Sequence, residues 1–579
     1  MSRRKQLYNL SNPRDVEQVM ALLEVTLSDD DISDCTDTDA DQDYAVSSDH
    51  NSSSENDSDE EKIQSNNTED NYFLGKDRKT KWGKSRPMQS VRTRSHNIVK
   101  KLPGVTGLGK KEKSVSGCWS LFFDNNMIEK IVVFTNKYIL KISSSYKDPS
   151  DCKPTSLTEI KSLLGLLYGM GFLHGGRMNI QDFWSTDGLG TERFPATMAF
   201  RRFRFLLKCI RFDDIETRQQ RRESDKLAAV REIFEAFNGN CKKYYSMGEF
   251  MTLDEMLLSF RGRCGFRMYI PSKPGKYGIK VFALVDAKMY YTYNLEIYCG
   301  KQPAGPYQDV SFKPSDIVER MCLPVSESGR NLTIDNWFTS YDIVAKMKNE
   351  HNITIVGTVR KNKKELPPHF ITAAKREPHS SVFGFQENMT LVSYVPKRGK
   401  TVLLLSSMHA DDKIDESTGE QKKPEIITFY NSTKGGVDCV DERIAFYNVA
   451  RNTRRWTMVI FYAMLNIAGV NAYLVYRAND PTSQDGKNRR TFLRKLMFNL
   501  TEEHIKERAM CKFLPKSIRS AAKRISGLPE EEEQTSDGNK RGRCAYCKDR
   551  KTRYSCFKCR KYLCLEHSAI MCSDCKNDM

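Results

Sequence analysis

The apolar positions change their period twice along the chain. From about residue 118 to 248 they recur at helical spacing, as in Leu157 to Met170, Phe200 to Ile210 and Leu227 to Phe237. Arg and Lys fill the opposite faces, as in "FRRFRFLLKCIRF". From residue 250 the runs shorten and alternate: "YGIKVFALVD", "YYTYNLEIYCG", "NLTID", then a helical "YDIVAKMKNE" and "NITIVGTVR". Strands followed by a helix and a further strand predict a mixed α/β core. Residues 362 to about 425 read as a turn-rich β segment with "MTLVSYVP" and "TVLLLSSM". Helical texture returns from Gly436 to about 525. One apolar run, Trp456 to Tyr476, carries no charge and is long enough to cross a bilayer. Asn466, Gly469 and Asn471 interrupt it, so it is expected to be a buried core helix. No membrane partner is expected.

Charge divides the chain. The first 70 residues hold 5 Lys/Arg and 19 Asp/Glu, a local balance of −14 that leaves +32 on the other 509 residues. The acidic segment, with "SSDHNSSSENDSDEE", buries too little apolar area to offset its ordering entropy and is expected to be disordered. The basic bridge that follows, residues 76–94, reads equally as a solvated linker, an import signal or a DNA-touching arm. The N-terminus has no apolar core of the signal-peptide kind. A folded body of this charge points to a polyanionic partner, with nucleic acid first. Ten of the 17 cysteines are scattered upstream of residue 544, as expected of reduced intracellular thiols.

Acids stand at the boundaries of apolar runs in three places: Asp254 and Glu255 in "MTLDEMLLSF", Asp335 at the end of "NLTID", and Asp438 and Asp441 after the Gly-Gly of "STKGGVDCVDER". A spacing of three puts the last two on one face of a helix. Each has a structural alternative: a turn at Asp335, a helix-dipole contact at Asp438. Asp286, ending "FALVD", is read as a turn residue. Together, a strand acid, a second acid on a later strand and a third on a following helix give the layout of a ribonuclease H-like nucleotidyl-transfer core. Such a core uses two divalent ions about 4 Å apart on the attacking and leaving oxygens.

The blocks "MTLDEMLLSFRGRCGFRMYIPSKPGKYGIKVFALVD", "NLTIDNWFTS", "TIVGTVRKNKKELP" and "YNSTKGGVDCVDERIAFYNVARNTRRWTM" resemble, in order, the piggyBac family of DDE transposases. The resemblance implies that Asp254, Asp335 and Asp438 hold two Mg²⁺ (or Mn²⁺) ions and that Asp441 supports them. It implies an α/β fold with a ribonuclease H-like core, a β-rich insertion, flanking helices for dimerisation and DNA binding, and a zinc-binding tail. On this reading the chain divides into a disordered N-terminus with the basic bridge (1–100), a first helical segment (101–249), a first core segment (250–361), the insertion (362–425), a second core segment (426–447), a second helical segment (448–526), a linker (527–543) and the tail (544–579). The implied activity is cut-and-paste transposition by a homodimer in the nucleus. Transposon-end duplexes are nicked, closed as hairpins, reopened and joined to TTAA targets, with precise excision. Trp456, after Arg454 and Arg455, matches a tryptophan near the family's active site, and these three are candidate DNA contacts. As the first core residue of a helix, Trp456 has an equally simple structural reading.

The tail carries Cys544, Cys547, Cys556, Cys559, Cys564, His567, Cys572 and Cys575, spaced C-x2-C-x8-C-x2-C-x4-C-x2-H-x4-C-x2-C. Eight such ligands make two closed zinc sites. In a cross-brace, Cys544, Cys547, Cys564 and His567 hold one Zn²⁺ and the other four hold the second. Consecutive pairing is the competing topology. Lys558, Arg560 and Lys561 make the tail basic and are candidate phosphate contacts. The functional alternatives are a domesticated transposase-derived chromatin or regulatory DNA binder, a nuclease that cuts without joining, and a finger for ubiquitin transfer or histone reading.

Overall fold

The computed structural model describes residues 47–48, 71–86, 98–148, 152–271, 273–374, 376–529, 541–547, 549–556 and 559–569. Most of the acidic segment therefore lies outside the described residues. In chain order the elements used below are β1 (Tyr72–Leu74), β2 (Lys81–Gly83), α1 (Leu157–Phe172), α2 (Phe200–Cys209), α3 (Arg231–Lys243), β3 (Phe250–Ser259), β4 (Tyr277–Asp286), β5 (Thr292–Ile297), β6 (Asn331–Ile334), α4 (Tyr341–His351), β7 (Thr354–Thr358), β8 (Ser381–Phe385), β9 (Thr390–Lys397), β10 (Lys400–Ser406), α5 (Glu425–Thr433), α6 (Gly436–Phe446), α7 (Trp456–Asn479) and α8 (Arg489–Met510). Two compact units divide at Arg508, and the tail belongs to the second.

The sheet of the first unit runs β5-β4-β3-β6-β7 through its centre. β3, β4 and β5 are antiparallel neighbours, whereas β6 is parallel to both β3 and β7. That is the ribonuclease H-like order the acid layout predicts. β4 is buried along nearly all its length, as expected for a central strand covered on both faces.

The free edge of β5 is closed by side chains. Asn471 of α7 bonds the Thr292 backbone N–H at 3.0 Å and C=O at 2.8 Å. Asn238 of α3 does the same for Leu295, at 2.9 Å each way. Two asparagines thus stand in for a missing strand and blunt an edge that otherwise pairs with other chains. They also explain a polar residue in α7. This helix is long and apolar enough to cross a membrane, but 89% of its most apolar window is buried inside the fold. It is a core helix, and its Asn466 is satisfied by the Val449 N–H and the Asn448 side chain.

Residues 362–425 extend the core sheet: β10 pairs antiparallel with β7, and β9 and β8 continue it outward. One of the three readings of the basic bridge is corrected. The basic bridge is not a solvated linker over residues 76–86. β1 and β2 form a hairpin whose β2 pairs with β8. Trp82 is 1% exposed and donates its indole N–H to Glu365 O at 2.9 Å. Lys81 and Lys84 lie over the Tyr72 and Phe73 rings, so the charges stay outside while the aromatics anchor.

The predicted helix at Leu227 begins later, at Arg231, because residues 225–230 turn back on the Asp225 carboxylate, which accepts the Leu227 N–H and binds Arg231. α1 packs closely on α8: a side-chain carbon on Gly165 would lie 2.8 Å from Thr501, and one on Gly169 the same distance from Met497.

Candidate active site

The register places the first two acids. Thr252 pairs with Thr333 and Leu253 with Ile334, so Asp254 and Asp335 come next, side by side, as β6 ends. Residues in register on parallel strands point to one face, with strands about 4.8 Å apart. Burial first, then Glu255 and Asp335, raise the Asp254 carboxyl well above the usual carboxylate range. Burial and Glu255 raise Asp335 as well, against the Trp337 and Phe338 N–H groups and Arg360.

The turn after β6 answers why two aromatics follow Asp335. Its carboxylate accepts the Trp337 N–H at 2.8 Å, and its carbonyl accepts the Thr339 hydroxyl at 2.7 Å. The Trp337 ring stacks on Phe282 at 5.9 Å and covers the buried Lys280 ammonium at 4.6 Å. The acid is thereby fixed at its oxygen, its backbone and its neighbour.

Three threonines bring in the third element. Thr252 Oγ1 donates to Thr433 O at 2.6 Å, and Thr333 Oγ1 shares a 2.7 Å bond with Thr433 Oγ1. Thr252 and Thr333 lie two residues before Asp254 and Asp335, hence on the same sheet face. They grip the end of α5, from which α6 starts three residues later. Asp438 sits in the first turn of α6 and Asp441 one turn on. Burial, and more weakly Asp438, push the Asp441 carboxyl up to about 7, against the opposing charge of Lys273.

Sequence reasoning missed these threonines, although the repeated Thr-apolar-Asp of "TLD" and "TID" carried the signal. It also missed Lys273. This ammonium donates to Glu255 O at 3.2 Å and lies 3.9 Å from Asp438, and its charge also acts on Asp254 and Asp441. The structure thus brings Asp254 and Asp335 together on the sheet and joins Asp438 and Asp441 to them through Lys273. Among the described residues these aspartates do not form a set of three oxygens within 4.8 Å of one another. Their chemistry nonetheless fits hard divalent cations: Asp254, Asp438 and Asp441 share the Lys273 ammonium, Asp335 feels Arg360, and carboxylate oxygen suits Mg²⁺ or Mn²⁺. Asp286 is the turn residue expected, fully buried and accepting the Gly248, Lys288 and Met289 N–H groups.

Of the candidate DNA contacts, Arg454 is exposed. Arg455 donates its guanidinium to the Leu207, Lys208 and Ile210 carbonyls and closes the C-terminal end of α2. Trp456 is half-buried edge-on to Phe266 at 5.1 Å, which fits its reading as a helix-starting core residue.

In the second unit Cys544, Cys547, Cys564 and His567 converge within 4.8 Å. The Cys547–Cys564 sulfur separation is 3.8 Å and Cys564 Sγ lies 3.1 Å from His567 Nδ1. A tetrahedral ion with Zn–S bonds of about 2.3 Å needs ligand separations of about 3.8 Å, so the set fits zinc. The Cys547 and Cys564 N–H groups hold the Cys544 thiol down at about 6, toward the thiolate a metal takes. This grouping is the first site of the cross-brace rather than of consecutive pairing. Cys556 and Cys559 stand apart from it, and Cys572, Cys575 and Lys558 lie outside the described residues. Arg560 and Lys561 are exposed.

The chain is similar to known proteins. The family model described as Transposase IS4 matches residues 114–473, well over half of the chain. The human PiggyBac transposable element-derived protein 3 is 23% identical over 472 residues, 76% of this chain and 73% of that protein. The human PiggyBac transposable element-derived protein 2 is 23% identical over 398 residues, and the match spans 63% of its length and 65% of this chain. The cryo-EM structure of a piggyBac transposase synaptic complex with hairpin DNA is 36% identical, with a TM-score of 0.70 over 82% of this chain and 100% of that one. The chain belongs to the piggyBac family of DDE transposases.

Proposed function

We propose that the chain is an active cut-and-paste DNA transposase. The observation that carries this reading is the pairing of Asp254 with Asp335 at the end of β6, with Asp438 and Asp441 turned toward the same Lys273. Asp254, Asp335 and Asp438 would hold two Mg²⁺ or Mn²⁺ ions, whose chemistry there would be to activate an attacking oxygen and stabilise a leaving one. The chain's own residues do the placing. Thr252, Thr333 and Thr433 fix α6 against the sheet, and Trp337 fixes the Asp335 turn. Lys273 offers an ammonium at the edge of the acid cluster, where a phosphate arrives. The basic body draws in the DNA backbone.

The substrates are transposon-end duplexes and TTAA target DNA. The steps are end nicking, hairpin formation and opening, strand transfer and precise excision, carried out by a homodimer in the nucleus. Family membership and the hairpin-bound structural neighbour support this sequence of steps. The tail, holding two Zn²⁺, contacts end DNA through Lys558, Arg560 and Lys561, with Arg454 as a further contact from the first unit. The test is cleavage and strand transfer by the purified protein on labelled end DNA and a TTAA plasmid. Tight end binding without cutting in any divalent metal replaces this reading with a domesticated DNA binder. Cutting without joining replaces it with a nuclease.

A further inference from the structure

Helix α6 continues past its acids into an opening of about 360 Å³ lined by Tyr290, Cys439, Glu442, Arg443, Phe446 and Arg489. Two features mark it as built for an anion with an aromatic part. Arg443 and Arg489 have no carboxylate within 4.0 Å among the described residues, and Glu442 on the rim pairs with neither. Each guanidinium lies instead over a ring, Arg443 at 4.4 Å from Tyr290 and Arg489 at 5.0 Å from Tyr447. Burial, followed by the charge of Arg443, holds the Arg489 guanidinium below its usual range, so the two cations face each other uncompensated. An anion between them relieves both.

The aromatic part is equally specific. Phe446 is 56% exposed, with its ring edge-on to His174 at 5.1 Å. Tyr290 sits at φ +62° in the left-handed region, which an aromatic residue adopts only where its surroundings enforce it. The enforcing group is Asp286, which gathers the turn's N–H groups on its buried carboxylate. The β4–β5 turn therefore accepts strain to present a ring beneath Arg443.

We propose that this opening is a subsite for a DNA strand, with backbone phosphate between Arg443 and Arg489 and an unpaired base on Phe446. Paired cations beside an exposed ring are what single-stranded nucleic acid recognition needs, charge for phosphate and a π-face for the base. Arg443 and Phe446 follow Asp438 by five and eight helical residues, about 7 to 12 Å along the axis. At about 3.4 Å per base step, that is about two to four nucleotides from the cleaved bond. The subsite rests on the transposase reading and assigns the path of the strand leaving the active site.

The test uses the full zinc-loaded chain with a short labelled oligothymidine and no added Mg²⁺ or Mn²⁺, over a range of salt, so that binding is read apart from catalysis. Arg443→Gln with Arg489→Gln is expected to flatten the slope of log affinity against log salt by about 0.7, the value for the one phosphate the pair holds. Phe446→Ala is expected to weaken binding by about fivefold to a hundredfold with the slope unchanged. Its side chain is exposed, so this variant folds whatever the arginine changes do. Unchanged affinity and slope in both variants overturns the subsite, as does an acidic peptide that competes as well as the oligonucleotide. If the wild type binds through these residues but never cleaves end DNA in Mg²⁺ or Mn²⁺, the subsite stands as a DNA site and the transposase reading fails.

Discussion

Gly436 meets Thr252 so closely that a side-chain carbon there would lie 2.5 Å from the Thr252 hydroxyl oxygen and 2.9 Å from its Cβ. The glycine lets the start of α6 rest on β3 beside Asp254, which decides where Asp438 and Asp441 stand. Gly435, its neighbour, has nothing within 4 Å of the same added carbon.

Gly436→Ala therefore pushes α6 off the sheet, whereas Gly435→Ala does not. The first is expected to cost about 1–3 kcal/mol of stability, as overpacking does, and to lower single-turnover end cleavage about a hundredfold through misplacement of about 1 Å. The second is expected to leave both within about twofold. Urea unfolding together with a cleavage time course checks the pair, and equal effects would contradict the close contact as the cause.

Arg454 and Arg455 are expected to behave oppositely. Arg455→Gln leaves carbonyls at the end of α2 unmet and should cost about 1–3 kcal/mol without changing the salt slope of DNA binding. Arg454→Gln should leave stability alone and weaken binding. From sequence the two are alike, because the carbonyls that claim Arg455 lie 245 to 248 residues away in the chain. The same kind of separation hid the Asn238 and Asn471 edge caps and the joining of β10 to β7. What was legible had a local signature: acids closing apolar strands, a spacing of three on a helix, and paired ligands in the tail. The hairpin at β1 and β2 had none, since its aromatics are interleaved with lysines that mask the strand pattern.

His409 gives the core sheet a pH dependence. Burial holds its imidazole down at about 4, with Asp411 opposing and Lys413 assisting. The Ser406 hydroxyl accepts the Met408 and His409 backbone N–H groups, so its own proton points to Nδ1, 2.8 Å away. The ring also packs edge-on to Phe429 at 5.2 Å. The unfolded chain binds a proton near pH 6.5 and the folded one near 4, so stability is lost as pH falls through that window. The loss reaches at most about 3 kcal/mol, at about 1.4 per pKa unit. Denaturant melts between pH 4 and 7 should show a steep fall in stability in the wild type and a flatter one in His409→Gln. Parallel curves would assign the dependence elsewhere.

The tail should fold with its metal. Chelation takes the ion from the Cys544–Cys547–Cys564–His567 set and Cys564→Ser removes one of its ligands, so each should release zinc and abolish the tail's protection from proteolysis, since so short a segment has little core. Cys559→Ser should leave that first ion bound. Zinc content by mass spectrometry distinguishes the two, and loss of all zinc in Cys559→Ser would contradict the cross-brace.

The most direct measurement sets the wild type beside Asp335→Asn on labelled transposon-end DNA and a TTAA plasmid, with and without added Mg²⁺. Asp335 stands beside Asp254 at the end of β6 with both carboxyls raised by burial, so the amide should preserve the turn and remove an ion ligand. Metal-dependent nicking and joining are expected in the wild type, with a large loss in the variant and equal end binding in both. Cleavage that survives in Asp335→Asn, or end binding that disappears with it, would contradict a catalytic role for the pair.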